Sequence, residues 1–177
     1  MWTLLFIALF GVCGAHAQSY DWNLNASPLR LVVGPNARVD RRVSEFVSVG
    51  VFGAWFDHSV KAVYFNGAEA GAAVTWSFEG ALSPGFFVEG AVKYSDLRVE
   101  VTSSEGDVYL RHLVNWGGHM VGGYRWYLQH FNVGVDAGVQ VNSAGDRSIY
   151  NSVDHRDVKI PIYGYAFYGD ISLGFAF

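Results

Sequence analysis

The sequence predicts an all-β fold, an eight-stranded antiparallel up-and-down transmembrane β-barrel, and three observations lead there. After residue 17, apolar and polar residues alternate with a period of two, the pattern of strands with two chemically different faces. The links between the alternating segments are short and long in turn. The polar face is built mainly of Gly, Ser, Asn and Thr, small enough for the cramped interior of an eight-stranded barrel. A soluble exterior would carry far more Lys and Glu.

Bulk properties narrow the class. The chain has 177 residues, 51% of them hydrophobic, 16% charged, with 21 glycines. No run reaches the roughly 18 apolar residues of a membrane-spanning helix, so the apolar content is spread out. A net charge of -4 with scattered Lys and Arg gives no footprint for nucleic acid. Residues 2–14, WTLLFIALFGVCG, have the length of a signal-peptide core and precede the small-x-small site Ala15-His16-Ala17. The expected division is a signal peptide over 1–17 and a barrel over 18–177. The segment lacks Lys and Arg, and a buried strand or short helix is the alternative for it. Val12 before Cys13 does not suit a lipoprotein site. Cleavage after Ala17 removes Cys13, leaving a mature chain without thiol or disulfide chemistry.

The strands follow in order. Over 19–25, Tyr20, Trp22 and Leu24 oppose Asp21 and Asn23. Over 29–41, Leu29, Leu31, Val33, Ala37 and Val39 oppose Arg30, Gly34, Asn36 and Arg38. The third, 46–56, sets Val47, Val49, Val51 and Trp55 against Ser48 and Gly50, but Phe52 and Phe56 break its pattern. The fourth, 62–78, opposes Tyr64, Val74, Trp76 and Phe78 to Glu69, Gly71, Thr75 and Ser77. The fifth, 86–94, opposes Phe86, Val88, Val92 and Tyr94 to Glu89 and Lys93. The sixth, 109–127, opposes Leu110, Val114, Trp116, Met120, Tyr124 and Trp126 to Arg111, Asn115, His119 and Arg125. The seventh, 131–141, is the most regular, with every odd residue apolar. Residues 158–177 read as one long strand, because the odd face keeps its parity from Tyr163 to Phe177; a hairpin near Tyr168-Gly169-Asp170 is the alternative.

Links at 42–45, 79–85 and 128–130 are short, while those after Phe56, Tyr94 and Val141 are mostly longer and polar. That arrangement is expected of tight periplasmic turns and larger external loops, with the short link Ala26-Ser27-Pro28 as the exception. Aromatic residues near strand ends, among them Trp55, Tyr64, Trp76, Phe78, Phe86, Tyr94, Trp126 and Phe131, sit where interfacial girdles are found. The apolar face is therefore expected to point outward into lipid. A soluble lipid-binding barrel, with that face inside, is the competing arrangement.

Phe177, Phe175, Leu173 and Ile171 place an apolar residue at every second position up to a terminal Phe. This resembles the C-terminal assembly signal of bacterial outer-membrane proteins, and the whole mature chain most resembles the small OmpA/OmpX-type eight-stranded barrels. The resemblance implies the outer membrane of a diderm bacterium as location. Outer-membrane lipids, lipopolysaccharide and the barrel-assembly machinery are the implied partners, and the last strand would close the barrel on the first. Pro35 inside a predicted strand and the short first strand depart from the pattern, Pro35 suggesting a bulge. No nucleic acid and no cofactor or metal is expected, and a monomer is.

On the polar face, Arg30, Arg38, Lys93, Arg111 and Arg125 balance Asp21, Glu69, Glu89, Asp136 and Asp170 in sign. Buried charges persist only when paired. Link lengths place Glu69 diagonal to Lys93 and Arg125 diagonal to Asp136, with Glu89 also expected to hold Lys93. A plug of salt bridges is the expected lumen, since a selective pore would show an excess of one sign; a narrow solute pore is the alternative. A lipid A-modifying barrel enzyme of the deacylase type would need His-x-Ser, and no histidine here has it. His119 reads as an interior histidine. Ser148, Ser152, Asp154 and His155 share one loop, which is weak support for a triad. No HExxH, CxxC pair or phosphate loop occurs. The acidic residues of the loops at 95–108 and 142–157 lack the regular spacing of a cation site. The expectation is an outer-membrane barrel with a structural or surface-interaction role and no catalysis.

Overall fold

Alternating segments become strands that pair antiparallel with their chain neighbours, and the first and last of them join. The computed structural model describes residues 20–60, 63–102, 108–143, 147–151, 156–160 and 164–177. Its strands are β1 (Trp22–Ala26), β2 (Asn36–Arg42), β3 (Val47–Val60), β4 (Val63–Ser77), β5 (Gly85–Thr102), β6 (Val108–Leu128), β7 (Phe131–Asn142), β8 (Arg147–Asn151), β9 (Arg156–Ile160) and β10 (Tyr165–Ala176). Eight of these close a barrel in the order β1-β10-β7-β6-β5-β4-β3-β2, and β8 and β9 form a separate two-stranded sheet. Closure uses Leu24 opposite Phe175, and Trp22 and Phe177 exchange backbone hydrogen bonds of 2.9 Å in both directions. Each of the eight strands thus pairs with a neighbour on both sides, β10 meeting β1 over its last four residues, Leu173 to Ala176.

Turns at 43–46, 78–84 and 129–130 define one end, called here the turn end. The links at 27–35, 61–62, 103–107 and 143–164 define the loop end, and the link after Phe56, expected to be longer, is only 61–62 because β3 runs on to Val60. Along the outside, Val51, Val92 and Met120 are 64%, 64% and 68% exposed, while inside Asn23, Asp40, Ser48 and Thr75 are buried. The apolar face therefore points out. Phe52 and Phe56 do not interrupt β3: both take the inward parity, and the Phe52 ring lies over Gly71, where a Cβ would approach it to 2.3 Å. The glycine is the space the ring needs.

Several expected boundaries move. Leu29–Val33 is not strand: Arg30–Val32 form a 3₁₀ turn, begun when Ser27 Oγ accepts from Arg30 N at 3.1 Å. Pro35 then precedes β2 instead of interrupting it, and its carbonyl accepts from Trp55 N. The first external link accordingly spans 27–35 and is not the exception its Ala26-Ser27-Pro28 core suggested. The predicted strand over 158–177 is also shorter, since residues up to Ile160 pair with β8 and the barrel strand begins at Tyr165. The alternation itself changes phase there: apolar residues fall on even positions at Val158 and Ile160 and on odd positions from Tyr165 onward. The short β1 starts at Trp22, and Tyr20, expected on the outward face, turns inward and is 5% exposed.

Residues 95–102, expected as loop, continue β5, and 108 onward continue β6. The strands keep their register while the chemistry of their faces exchanges. Up to Tyr94 the outward residues are apolar; beyond it Asp96, Arg98 and Glu100 face out and Leu97, Val99 and Val101 face in. Alternation that reverses phase without a slip reads in sequence as a polar loop. β3, β4, β5 and β6, with 14, 15, 18 and 21 residues, thus form a wall taller than β7 and β10, which have 12 residues each.

Candidate functional site: a charged lumen between two apolar ends

Two apolar clusters bound the lumen. At the loop end, the inward residues Val99, Val101 and Leu113 are buried together, with Val63, Phe65 and Leu97 against them. At the turn end, the turn at 78–84 folds across the bore and inserts Leu82, 1% exposed, beside Tyr20, Ala176 and Tyr127. Leu82 takes φ 56°, and Ala81 N donates to Glu45 O at 2.7 Å, tying this turn to its neighbour. Tyr20 stacks on Tyr127 at 5.7 Å and donates its hydroxyl hydrogen to Gln129 O at 2.6 Å. From sequence these seven residues, Glu79 to Gly85, were only a short link.

Between these ends lie two charged clusters. In the lower one, Arg38 reaches across the bore: Nη1 is 2.7 Å from Glu89 Oε1, Nε 2.7 Å from Asp40 Oδ1 and Nη2 3.1 Å from Thr75 Oγ1. Thr75 also donates to Glu89 Oε2 at 2.8 Å, and His119 Nε2 is 3.2 Å from Oε1. Asn25 donates to Asp40, Asn23 to Asn25, and Asn132 to Asn23. Every oxygen of Glu89 has a partner. A guanidinium supplies five fixed donors, which suits it to this junction of two carboxylates.

The upper cluster gathers around Arg30, delivered by the 3₁₀ turn and not by a strand. Its Nη1 is 3.5 Å from Glu69 Oε1 and its Nε 3.4 Å from Asp170 Oδ2, and Nη2 donates to Tyr168 Oη at 2.6 Å. Ser27 Oγ donates to Asp170 Oδ1. Lys93 Nζ lies 2.9 Å from Glu69 Oε2, on the neighbouring strand and one diagonal away. The two clusters meet where His119 stacks on Tyr168, 4.8 Å apart and 5° from parallel.

The remaining charges are placed differently from the expected pairs. Glu89 belongs to Arg38, and Lys93 has no ion pair with it. Arg125 and Asp136 make no ion pair among the described residues; the Arg125 guanidinium lies over Phe87 at 5.1 Å, and Arg125 Nε and Asp136 Oδ1 are buried without hydrogen-bond partners. The register does place them diagonally, Arg125 facing Gly134 and Asp136 facing Gly123, but Arg125 turns to Phe87 while Asp136 faces Asp170 directly across β7 and β10. Asp21 is not in the lumen, being exposed at the turn end and paired with Arg42 at 2.6 Å. Arg111 stands opposite Val99 in the ladder, and its side chain is outside the described part. Ser152, Asp154 and His155 lie outside the described residues, as do 1–19, Glu105, Asp107 and Asp146.

Asp40 and Tyr168 were missed by the sequence reading although their parity placed both inside: each lies two residues from a named lumen charge, Arg38 and Asp170. The asparagines carried no charge to draw attention.

On the outside, aromatic contacts form two belts. Phe86 meets Tyr124 edge-on at 4.8 Å and Tyr124 meets Trp126 at 4.7 Å near the turn end, where Phe131 and Phe175 also touch at 5.3 Å. Tyr94 meets Trp116 at 5.0 Å on the other side of the apolar band.

The fold is similar to the N-terminal β-barrel domain of Pseudomonas aeruginosa OprF, with a TM-score of 0.54, 9% identity, and coverage of 90% of this chain and 100% of that one. The architecture is thus that of an OmpA-type eight-stranded barrel. No protein-family model and no curated protein matches the sequence.

Proposed function

We propose that the chain is an integral outer-membrane β-barrel with a structural or surface-interaction role, its lumen plugged by salt bridges and flanked by apolar residues at each end. The outward apolar band between two aromatic belts carries the reading, because water would not tolerate such a surface on a closed monomeric barrel. Lipid favours it, and polar groups then pair within. A soluble lipid-binding barrel would need this face inside. The division into a signal peptide at 1–17 and a barrel from 18 belongs to the same proposal, as do contacts with lipopolysaccharide around the outer belt and recognition of Ile171, Leu173, Phe175 and Phe177 by assembly machinery.

The plug reading is supported by ion pairing within the lumen and by span: Arg38 joins β2 to β5, three strands apart around the barrel. A pore wide enough for solutes would hold these groups apart, each hydrated. The experiment is fractionation of cells with a heat-modifiability gel, followed by planar-bilayer recording of the purified barrel. The expected outcome is outer-membrane recovery, a mobility shift on boiling and no steady conductance. Recovery as a soluble periplasmic protein overturns the membrane role, and a large steady conductance overturns the plug.

A further inference from the structure

The upper charged cluster forms the floor of a chamber of about 280 Å³ at the loop end. Phe56, Leu97 and Leu113 give it apolar walls, and Asn115, Gln140 and Asn142 bring carboxamides to its lining. Its floor holds two unused hydrogen-bonding capacities of opposite kind. Glu69 Oε1 is buried with no hydrogen-bond partner, and Arg30 Nη1 stands 3.5 Å from it as an ion pair. Lys93, whose side chain is 9% exposed, offers three N–H donors and meets one acceptor among the described residues, Glu69 Oε2. Buried polar atoms of this kind ordinarily find a partner.

The chemistry of that partner is constrained. A carboxylate or phosphate accepts from Lys93 but meets Glu69 with like charge and no proton to give. An ammonium donates to Glu69 but repels Lys93. A hydroxyl does both, donating to Glu69 Oε1 and accepting from Lys93 Nζ. Several hydroxyls on one small ring would also reach the carboxamides, with C–H faces against Phe56 and the leucines. We propose that this chamber binds a neutral polyhydroxylated solute of monosaccharide size. The assignment rests on the lumen geometry and goes beyond the structural role proposed above, and it holds whether or not the lumen conducts. The volume suits one sugar unit better than a drug-sized molecule, for which pockets begin at about 300 Å³.

The test uses the full barrel folded in a zwitterionic detergent, since glycoside detergents would compete. Methyl α-glucoside, methyl α-galactoside and myo-inositol are titrated while side-chain amide resonances of Asn115, Gln140 and Asn142 are followed by NMR. Saturable shifts with at least one of these probes, and none with acetate or methylammonium, are expected. The paired variant Lys93→Met with Glu69→Leu removes both capacities without leaving a lone buried charge. It should bind at least about tenfold more weakly, the loss of a hydrogen bond to a charged group. Its heat-modifiable mobility reports that it still folds. Absence of saturation with all three probes in the unmutated barrel, which leaves water as the only occupant, overturns the proposal. So does equal binding by the folded paired variant, or saturation by acetate or methylammonium.

Discussion

Arg38 Nη1 lies 2.7 Å from Oε1 of Glu89, a residue 51 positions later in the chain and on a different side of the bore. The contact holds β2 against β5 through the lumen, independently of the backbone ladder. Its worth depends on water. In a dry site, Arg38→Met leaves Glu89 and Asp40 buried without their cation, and the expected cost is roughly 3–5 kcal/mol. Adding Glu89→Leu should recover part of this, and a double-mutant cycle by urea unfolding in vesicles isolates the coupling. A single-variant loss below about 0.5 kcal/mol would mean a water-screened lumen and would favour the pore.

Gly50 leaves the space in which this contact is assembled. A Cβ there would come within 2.2 Å of Asp40 Oδ1 and 3.2 Å of Arg38 Nε. Gly50→Ala should therefore push Asp40 away from Arg38 and destabilise the barrel by about 1–3 kcal/mol, the usual cost of overpacking. Gly90→Ala is the control, since nothing stands within 4 Å of its added methyl. Equal unfolding midpoints for the two variants would show that Asp40 relocates freely.

Period and parity carried the fold a long way. The eight barrel strands, their antiparallel order and the side most strand residues face follow from alternation, because a pleated strand converts sequence parity directly into inside and outside. What parity could not show were features that leave it intact. The exchange of face chemistry after Tyr94 keeps the register but looks like a loop. Ion pairing was harder still. Diagonal reach explains Lys93 with Glu69, but Arg38 with Glu89 spans strands that are distant in sequence, and Arg30 enters from a turn. Those contacts depend on closure of the barrel, a property of the whole chain.

The exchange after Tyr94 places a boundary that can be mapped. Val92 and Arg98 face outward on the same strand, six residues apart, the first apolar and 64% exposed, the second paired with Glu100 at 3.2 Å. If the bilayer ends near Tyr94 and Trp116, a spin label at Val92→Cys should collide with dissolved oxygen and one at Arg98→Cys with a water-soluble nickel chelate. Neither substitution touches the lumen, so folding should persist. Preference for the nickel chelate at both sites would remove the membrane boundary from this height. On the inner face at the same level, Leu113→Ala should cost about 2–5 kcal/mol, as for other buried leucines.

Phe177 separates what folding needs from what assembly needs. Its backbone completes the closure: its N–H donates to Trp22 O at 2.9 Å, and its carbonyl accepts from Trp22 N at 2.9 Å and Asp21 N at 3.2 Å. Its side chain is 59% exposed on the outer face, 6.4 Å from the Phe175 ring. Phe177→Asp keeps all three backbone bonds and changes only that outer surface. Refolding in detergent should therefore lose less than the roughly 1.5–3 kcal/mol that full burial of a phenylalanine is worth. On the proposed assembly role, in which the strand is recognised before closure through the side chains at positions 171, 173, 175 and 177, the consequence in cells should be larger. The amount of heat-modifiable barrel in outer membranes should fall well below that of the unmutated protein, while Phe177→Tyr, which keeps an aromatic ring at the interface, should assemble normally. Comparing both variants in cells and in detergent decides the matter: normal assembly of Phe177→Asp in cells removes the signal role, and equal failure in detergent reduces it to a folding defect.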